Sequence, residues 1–127
     1  MERFLWVCLG GAFGSGARYL LSGWLAERLG PAFPYGTFAV NLTGSFLLAA
    51  LMHVGLASAA LSPTLRIALG TGVLGGFTTY STFSYETFVY LREGAFALAA
   101  LNASVTLFGC LVACWLGFAA ARWLVGS

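Results

Sequence analysis

The stretch "GVLGGFTTYSTFSYET", Gly72 to Thr87, lies inside an apolar run long enough to cross a membrane. Glycines and a dense series of hydroxyl side chains stand where a lipid-buried helix would carry leucine. Glycine adds backbone freedom, and Ser and Thr compete for nearby backbone groups, so the mixture disfavours continuous helix. Two readings follow. The run holds a broken helix, or it is a Gly/Thr-rich helix packed tightly against its neighbours.

The surrounding composition fixes the solvent. Of 127 residues, 60% are apolar and only 8% charged, and the mean hydropathy is +0.89. Such a chain belongs in a bilayer. Four nearly charge-free stretches, at about 1.5 Å rise per residue, are long enough for a roughly 30 Å hydrocarbon core. They run from about Leu5 to Ala26, Tyr35 to Ala57, Ile67 to Leu91 and Ala95 to Ala121. The links "ERLGPAFP", "SAALSPTLR" and "REG" are short and punctuated by proline or glycine. The expectation is one all-α domain of four transmembrane helices over residues 1–127. The first span is too long, and too directly followed by another, for a cleaved signal peptide.

Orientation normally follows from an excess of basic residues on the cytoplasmic side. The chain has no lysine, and its arginines divide evenly. Arg3, Arg66 and Arg122 fall on the side of the termini, and Arg18, Arg28 and Arg92 on or toward the other. Without a bias the chain inserts both ways. Two copies can then pair antiparallel about an axis in the membrane plane, as a dual-topology homodimer.

The third span is bounded by Arg66 and Arg92, which puts "GGFTTYSTF", Gly75 to Phe83, at mid-membrane. Two antiparallel copies would meet break to break. Unwound backbone at that depth must be buried in protein or line a cavity, because each unpaired N–H or C=O is costly in lipid. Freed carbonyls can instead bind a cation.

Other polar positions fit a buried path. Arg18 and Asn41 lie inside spans, and an intramembrane ionisable residue is by default a functional candidate. For Arg18 the competing reading is snorkelling to the nearer interface, and for Asn41 it is helix-to-helix bonding. Glu86 is a helix-packing acid or a partner of Arg92. His53, alone near the end of span two, reads as interfacial. Cys8, Cys110 and Cys114 read as small core residues. With one histidine in the chain they assemble no zinc set. Gly10/Gly14 and Gly72/Gly76 have the spacing that lets helices approach closely. No phosphate-binding loop, nucleophile–base pair or basic tract points to an enzyme or to nucleic acid.

Three motifs, "GGAFGSGARY" (Gly10 to Tyr19), "NLTGSF" (Asn41 to Phe46) and "GGFTTYSTFSYET" (Gly75 to Thr87), occur in this order in a four-span chain. Together they closely resemble the small bacterial fluoride channels, the CrcB or Fluc family, over essentially the whole chain. The third motif is the most specific. The resemblance implies antiparallel dual-topology dimers with two pores, each lined by both subunits, in the bacterial inner membrane. It implies a structural sodium ion at the dyad, held by backbone carbonyls that match Gly75 and Thr78. It places Tyr80 and Phe83 along the ion path, Asn41 and Arg18 at the vestibule, and a polar track through Asn102 and Thr106 extending to Cys110. Tyr80 departs from the family's phenylalanine, and Thr106 and Cys110 stand where serine is common.

The chemistry of these residue types suits fluoride. A small, strongly hydrated anion needs several donors that replace water without trapping it. Aromatic ring edges carry the positive part of the quadrupole. Asn41, Thr79, Ser81, Thr82 and Thr106 supply amide or hydroxyl donors, and a central cation adds a fixed positive field. The resulting expectation is a passive fluoride channel that exports fluoride trapped in the cytoplasm and confers fluoride resistance. The alternatives are a non-transporting small membrane subunit, which needs no aromatic pair, and a proton-coupled exporter using Glu86.

Overall fold

Three uninterrupted helices are long and apolar enough to cross a membrane in the computed structural model, which describes residues 1–126. Ser127, the last residue of the expected domain, lies outside the described residues. The three are α1 (Glu2–Leu29), α2 (Tyr35–Ala57) and α6 (Phe96–Val125). Helices α1 and α2 extend to or past their expected bounds, and α6 starts one residue after the expected Ala95, which is its N-cap, and runs four past the expected end, because the flanking turns carry helix-compatible residues up to a defined stop. Gly30 ends α1 with φ 81°, a conformation L side chains rarely adopt, and its N–H donates to the Ala26 carbonyl at 3.0 Å.

The fourth crossing is assembled from pieces, as the Gly/Thr composition suggests. Helix α3 (Pro63–Ile67) begins with proline in its first turn and Ser62 as cap, the Ser62 hydroxyl accepting from Leu65 N–H at 3.1 Å. A π-helical segment (Ala68–Leu74) follows, then a single turn α4 (Gly75–Phe77). Thr78 and Thr79 are extended, and α5 (Tyr80–Arg92) completes the span. The interruption expected over Gly75 to Phe83 therefore narrows to two residues, because Thr79 caps α5 at once: its hydroxyl accepts from Thr82 N–H at 3.3 Å. The π segment was not legible in the sequence. In it Gly75 N–H reaches back to the Gly70 carbonyl, five residues away, and such wide turns are frequent at functional sites.

Packing rests on small residues. Between apolar helices in lipid there is little hydrophobic drive, so close van der Waals approach holds them together. Helix α1 lies against the π segment and α4, and α2 runs along α6. The two glycine pairs of the sequence lie where α1 meets the third span, with Gly10 against Gly72, Gly14 against Val73 and Gly76 against Gly11. A Cβ on Gly10 would come within 2.7 Å of the Ala68 carbonyl oxygen, and one on Gly76 within 2.7 Å of the Gly11 carbonyl oxygen. A Cβ on Gly14 would collide with the Val73 carbonyl. Val40 and Asn102 are the largest side chains buried almost completely, while Phe13, Leu107, Phe108 and Trp115 are exposed on the outer faces. Such an outside is suited to lipid.

Candidate functional site

The break at Thr78–Thr79 takes backbone groups from their helical partners, and two distant side chains, Asn41 and Arg18, together with the Thr79 hydroxyl within the break, receive or replace them. In an unbroken helix Thr79 N–H would donate to the Gly75 carbonyl. It donates instead to Asn41 Oδ1 at 2.8 Å, and Asn41 Nδ2 donates back to the Thr79 carbonyl at 3.0 Å. Thr82 N–H, the helical donor for the Thr78 carbonyl, turns to the Thr79 hydroxyl. Arg18 Nε donates to the Gly76 carbonyl at 3.0 Å. The carbonyls of Gly75 and Thr78 have thus lost their helical donors, whereas that of Gly76 has a guanidinium in exchange. Thr78 itself stays tied to the first half of the span, its N–H and its hydroxyl both donating to the Leu74 carbonyl at 3.0 Å.

Arg18 therefore faces inward, and the snorkelling alternative does not describe it. Its partner is 58 residues away in sequence, so nothing local in "GARY" announced the contact. Asn41 does join helices, as its bland reading held, but its target is the main chain of the break.

Two clefts open on either side of Thr79, and this residue lines both. The first, about 810 Å³, is walled by Arg18, Thr37, Thr82, Glu86 and Tyr90. The second, a groove of about 590 Å³, holds Asn41, Gly75, Thr78, Tyr80, Phe83, Thr106, Cys110 and Cys114. Gly44 lets α2 sit close to the break, since a Cβ there would collide with the Thr78 methyl. Tyr80 is 80% exposed and meets Phe83 edge-on, ring centroids 5.9 Å apart at 64°. The aromatic pair, the extended residues and the fourth-span hydroxyl at Thr106 are thus brought to one groove.

Not every expected residue joins them. Asn102 is 1% exposed and lines neither cleft. Its Nδ2 donates to Thr87 Oγ1 at 2.9 Å, its Oδ1 accepts from Thr106 Oγ1 at 3.4 Å, and Thr87 Oγ1 donates to the Phe83 carbonyl at 2.9 Å. This chain of bonds fastens α6 to α5 behind the aromatic pair. Ser81 is exposed and lines neither cleft. Glu86 lines the first cleft with Arg18 and Thr37; Arg92 is not in the lining, and Oε1 of Glu86 is buried without a partner. The cysteines are not core residues: Cys8 is exposed, and Cys110 and Cys114 lie half-exposed in the groove. His53 stacks edge-on against Phe118, centroids 4.8 Å apart, with Nε2 buried and unpartnered.

Comparison with known proteins agrees with this arrangement of motifs. Residues 5–118 match the family model described as CrcB-like protein, Camphor Resistance (CrcB). A fluoride-specific ion channel FluC of Anaeromyxobacter sp. (strain K) is 53% identical over 126 residues, covering 99% of this chain and 100% of the relative. The FluC of Sorangium cellulosum (strain So ce56) is 50% identical over 127 residues, the full length of both chains. That of Geotalea daltonii is 48% identical over 124 residues, 98% of this chain and 100% of the relative.

Proposed function

From the premise that this chain belongs to the CrcB family, a family of ion channels and not of enzymes, we propose that it is a fluoride-selective channel that passively lets cytoplasmic fluoride out. The observation that carries this reading is the meeting at Thr79, in the middle of a span, of two clefts that each carry polar side chains among apolar ones. A helix-packing subunit would need neither the diverted carbonyls nor an exposed Tyr80 ring set edge-on to Phe83. Hydrogen fluoride crosses lipid as the neutral acid and dissociates inside. An inside-negative potential then drives the anion outward at about 2.3 kcal/mol per charge per 100 mV.

The working unit is an antiparallel, dual-topology homodimer in the bacterial inner membrane, with fluoride and a second copy of the chain as partners. The even division of arginines supports the two orientations. The open side of the groove, with Tyr80 and Gly75 exposed, supports a partner copy there. Arg18 attracts the anion at the first cleft. Tyr80 and Phe83 offer ring edges, and the Thr82 hydroxyl, which accepts from the Thr79 hydroxyl at 3.0 Å, keeps its own proton to donate; Thr79 and Thr106, whose protons go to Thr82 and Asn102, become donors to the anion by turning from those partners. Of Asn41, one amide proton remains beyond the bond to Thr79, so it both holds the break and has a donor to spare.

Sodium fits the break. The carbonyls of Gly75 and Thr78, freed of helical donors, are hard oxygen ligands at a place where an orphan acceptor is costly. Two copies would supply four such oxygens. A bound monovalent cation supplies a fixed positive field beside the anion path and is not itself carried.

The proton-coupled alternative draws on one observation, the unpartnered Oε1 of Glu86. Both readings are tested on purified protein in liposomes under a potassium–valinomycin potential. The channel reading expects rapid fluoride efflux driven by voltage alone, with chloride slower by orders of magnitude. Efflux that requires a pH gradient would favour the exporter, and equal halide rates would refute selectivity.

A further inference from the structure

Cys110 and Cys114 stand one turn apart on α6, and both face the groove that contains the break. The Cys114 thiol donates to the Ser45 carbonyl of α2 at 3.5 Å, and Ser45 lines the same groove as both thiols. We propose that Cys110 and Cys114 form a two-thiol binding site for a soft, two-coordinate divalent cation in the wall of this groove.

Three physical points select that ligand class. Side chains at i and i+4 of a helix have Cβ atoms about 5–6 Å apart, wider than the roughly 3.8 Å that a disulfide bridges. A metal between the sulfurs adds two bonds of about 2.3 Å each, which spans the gap without bending the helix. Thiolates prefer soft cations, and the chain places no third Cys, His, Asp or Glu beside the pair among the described residues. Tetrahedral zinc is therefore poorly served, whereas a linear two-coordinate ion is complete. Charge decides between monovalent and divalent ions. Each thiol loses its proton to water, two sulfur–metal bonds form, and two waters leave the metal; with a divalent cation the product is neutral. A monovalent ion would leave a net negative charge in a largely apolar groove, which is costly.

The effect on transport rests on the channel reading, but binding does not. A metal dithiolate at this position narrows the groove beside Thr106 and Phe83 and closes the anion path.

Mercury(II) is the probe, used on the full-length Cys8→Ser protein in detergent so that only the pair can react. The site predicts that a single mercury per protomer protects both thiols from maleimide and gives the ultraviolet absorption of a mercury dithiolate. In Cys110→Ser or Cys114→Ser, loss of the second arm should weaken binding by about 100-fold, the scale of an intramolecular second contact. In liposomes, mercury should reduce the fluoride flux of the Cys8→Ser protein by about tenfold or more, equivalent to roughly 1.4 kcal/mol on the barrier. Dithiothreitol should restore it, and each variant is compared with its own untreated flux. Two mercury ions per protomer, thiols that stay reactive to maleimide, or single variants that bind as tightly as the pair would overturn the site. Absence of fluoride flux before any mercury is added would count against the channel reading alone, and the detergent titration would still decide on the site.

Discussion

Asn41 on α2 grips both backbone polar groups of Thr79, accepting from its N–H at 2.8 Å and donating to its carbonyl at 3.0 Å. Across 38 residues of sequence, one amide side chain takes up the Thr79 N–H that the break withdraws from its helical bond. The Gly75 carbonyl is free because Asn41 has taken the donor that would have satisfied it.

Asn41→Ala should therefore act through the break as well as through the loss of a donor. An unpaired buried N–H costs about 1–3 kcal/mol, and Thr79 N–H regains a partner by returning to Gly75, which re-forms helix across the gap. Fluoride flux should fall by about tenfold or more, with a lower melting temperature in detergent. Asn41→Asp keeps the acceptor for Thr79 N–H and should retain more of the stability than alanine does. An alanine variant with the parent's flux and melting temperature would contradict the clamp.

Close helix approach gives a second prediction with an internal control. Gly14→Val sets a branched side chain against the Val73 carbonyl, where even a Cβ has no room, while nothing lies within 4 Å of a Cβ at Gly16. Overpacking of this kind costs about 1–3 kcal/mol or more. Gly14→Val should give aggregated or poorly dispersed protein by size exclusion, and Gly16→Ala should elute like the parent. Equal behaviour of the two would mean that α1 does not seat on the third span as described.

What the sequence made legible was whatever depends on local composition. Span positions followed from hydropathy, whereas Gly75, Gly76 and the threonines left a broken helix and a tightly packed one both open, and the structure has the break. Its centre, taken as midway between Arg66 and Arg92, falls at the observed Thr78–Thr79. The contacts that give the break its shape were not legible, because they join residues far apart. Arg18 to Gly76 spans 58 positions and Cys114 to Ser45 spans 69. A lone cysteine on an apolar helix looks the same in sequence whether it faces core or groove. The π segment also escaped notice, since alanine, leucine and glycine suit an α-helix nearly as well.

The aromatic pair gives a third prediction. Phe83→Ile removes the ring that meets Tyr80 edge-on and with it the electropositive edge, so fluoride flux should drop by about tenfold or more, while the protein elutes as before. Tyr80→Phe keeps the ring and removes only the exposed hydroxyl, and should conduct. An inactive Tyr80→Phe protein would show that the hydroxyl itself handles the ion.

The even arginine count gives a fourth. Reporters of each compartment, fused to the C-terminus, should both give signal. Adding arginines to one end should fix the orientation and lower activity, and co-expression of the oppositely fixed copy should restore it. A signal from one side only would refute the antiparallel homodimer.

The central claim is that the third span is interrupted so that the carbonyls of Gly75 and Thr78 can hold a cation beside the anion path. Its most direct test is fluoride efflux from liposomes in which sodium on both sides is replaced by a large organic cation, after exhaustive exchange of trapped ion. Loss of flux, restored by returning sodium although no sodium crosses, is the predicted result, and Thr78→Ser should behave like the parent because the ligand is main chain. Undiminished efflux from protein free of bound sodium would contradict the claim and leave the break as a feature of packing alone.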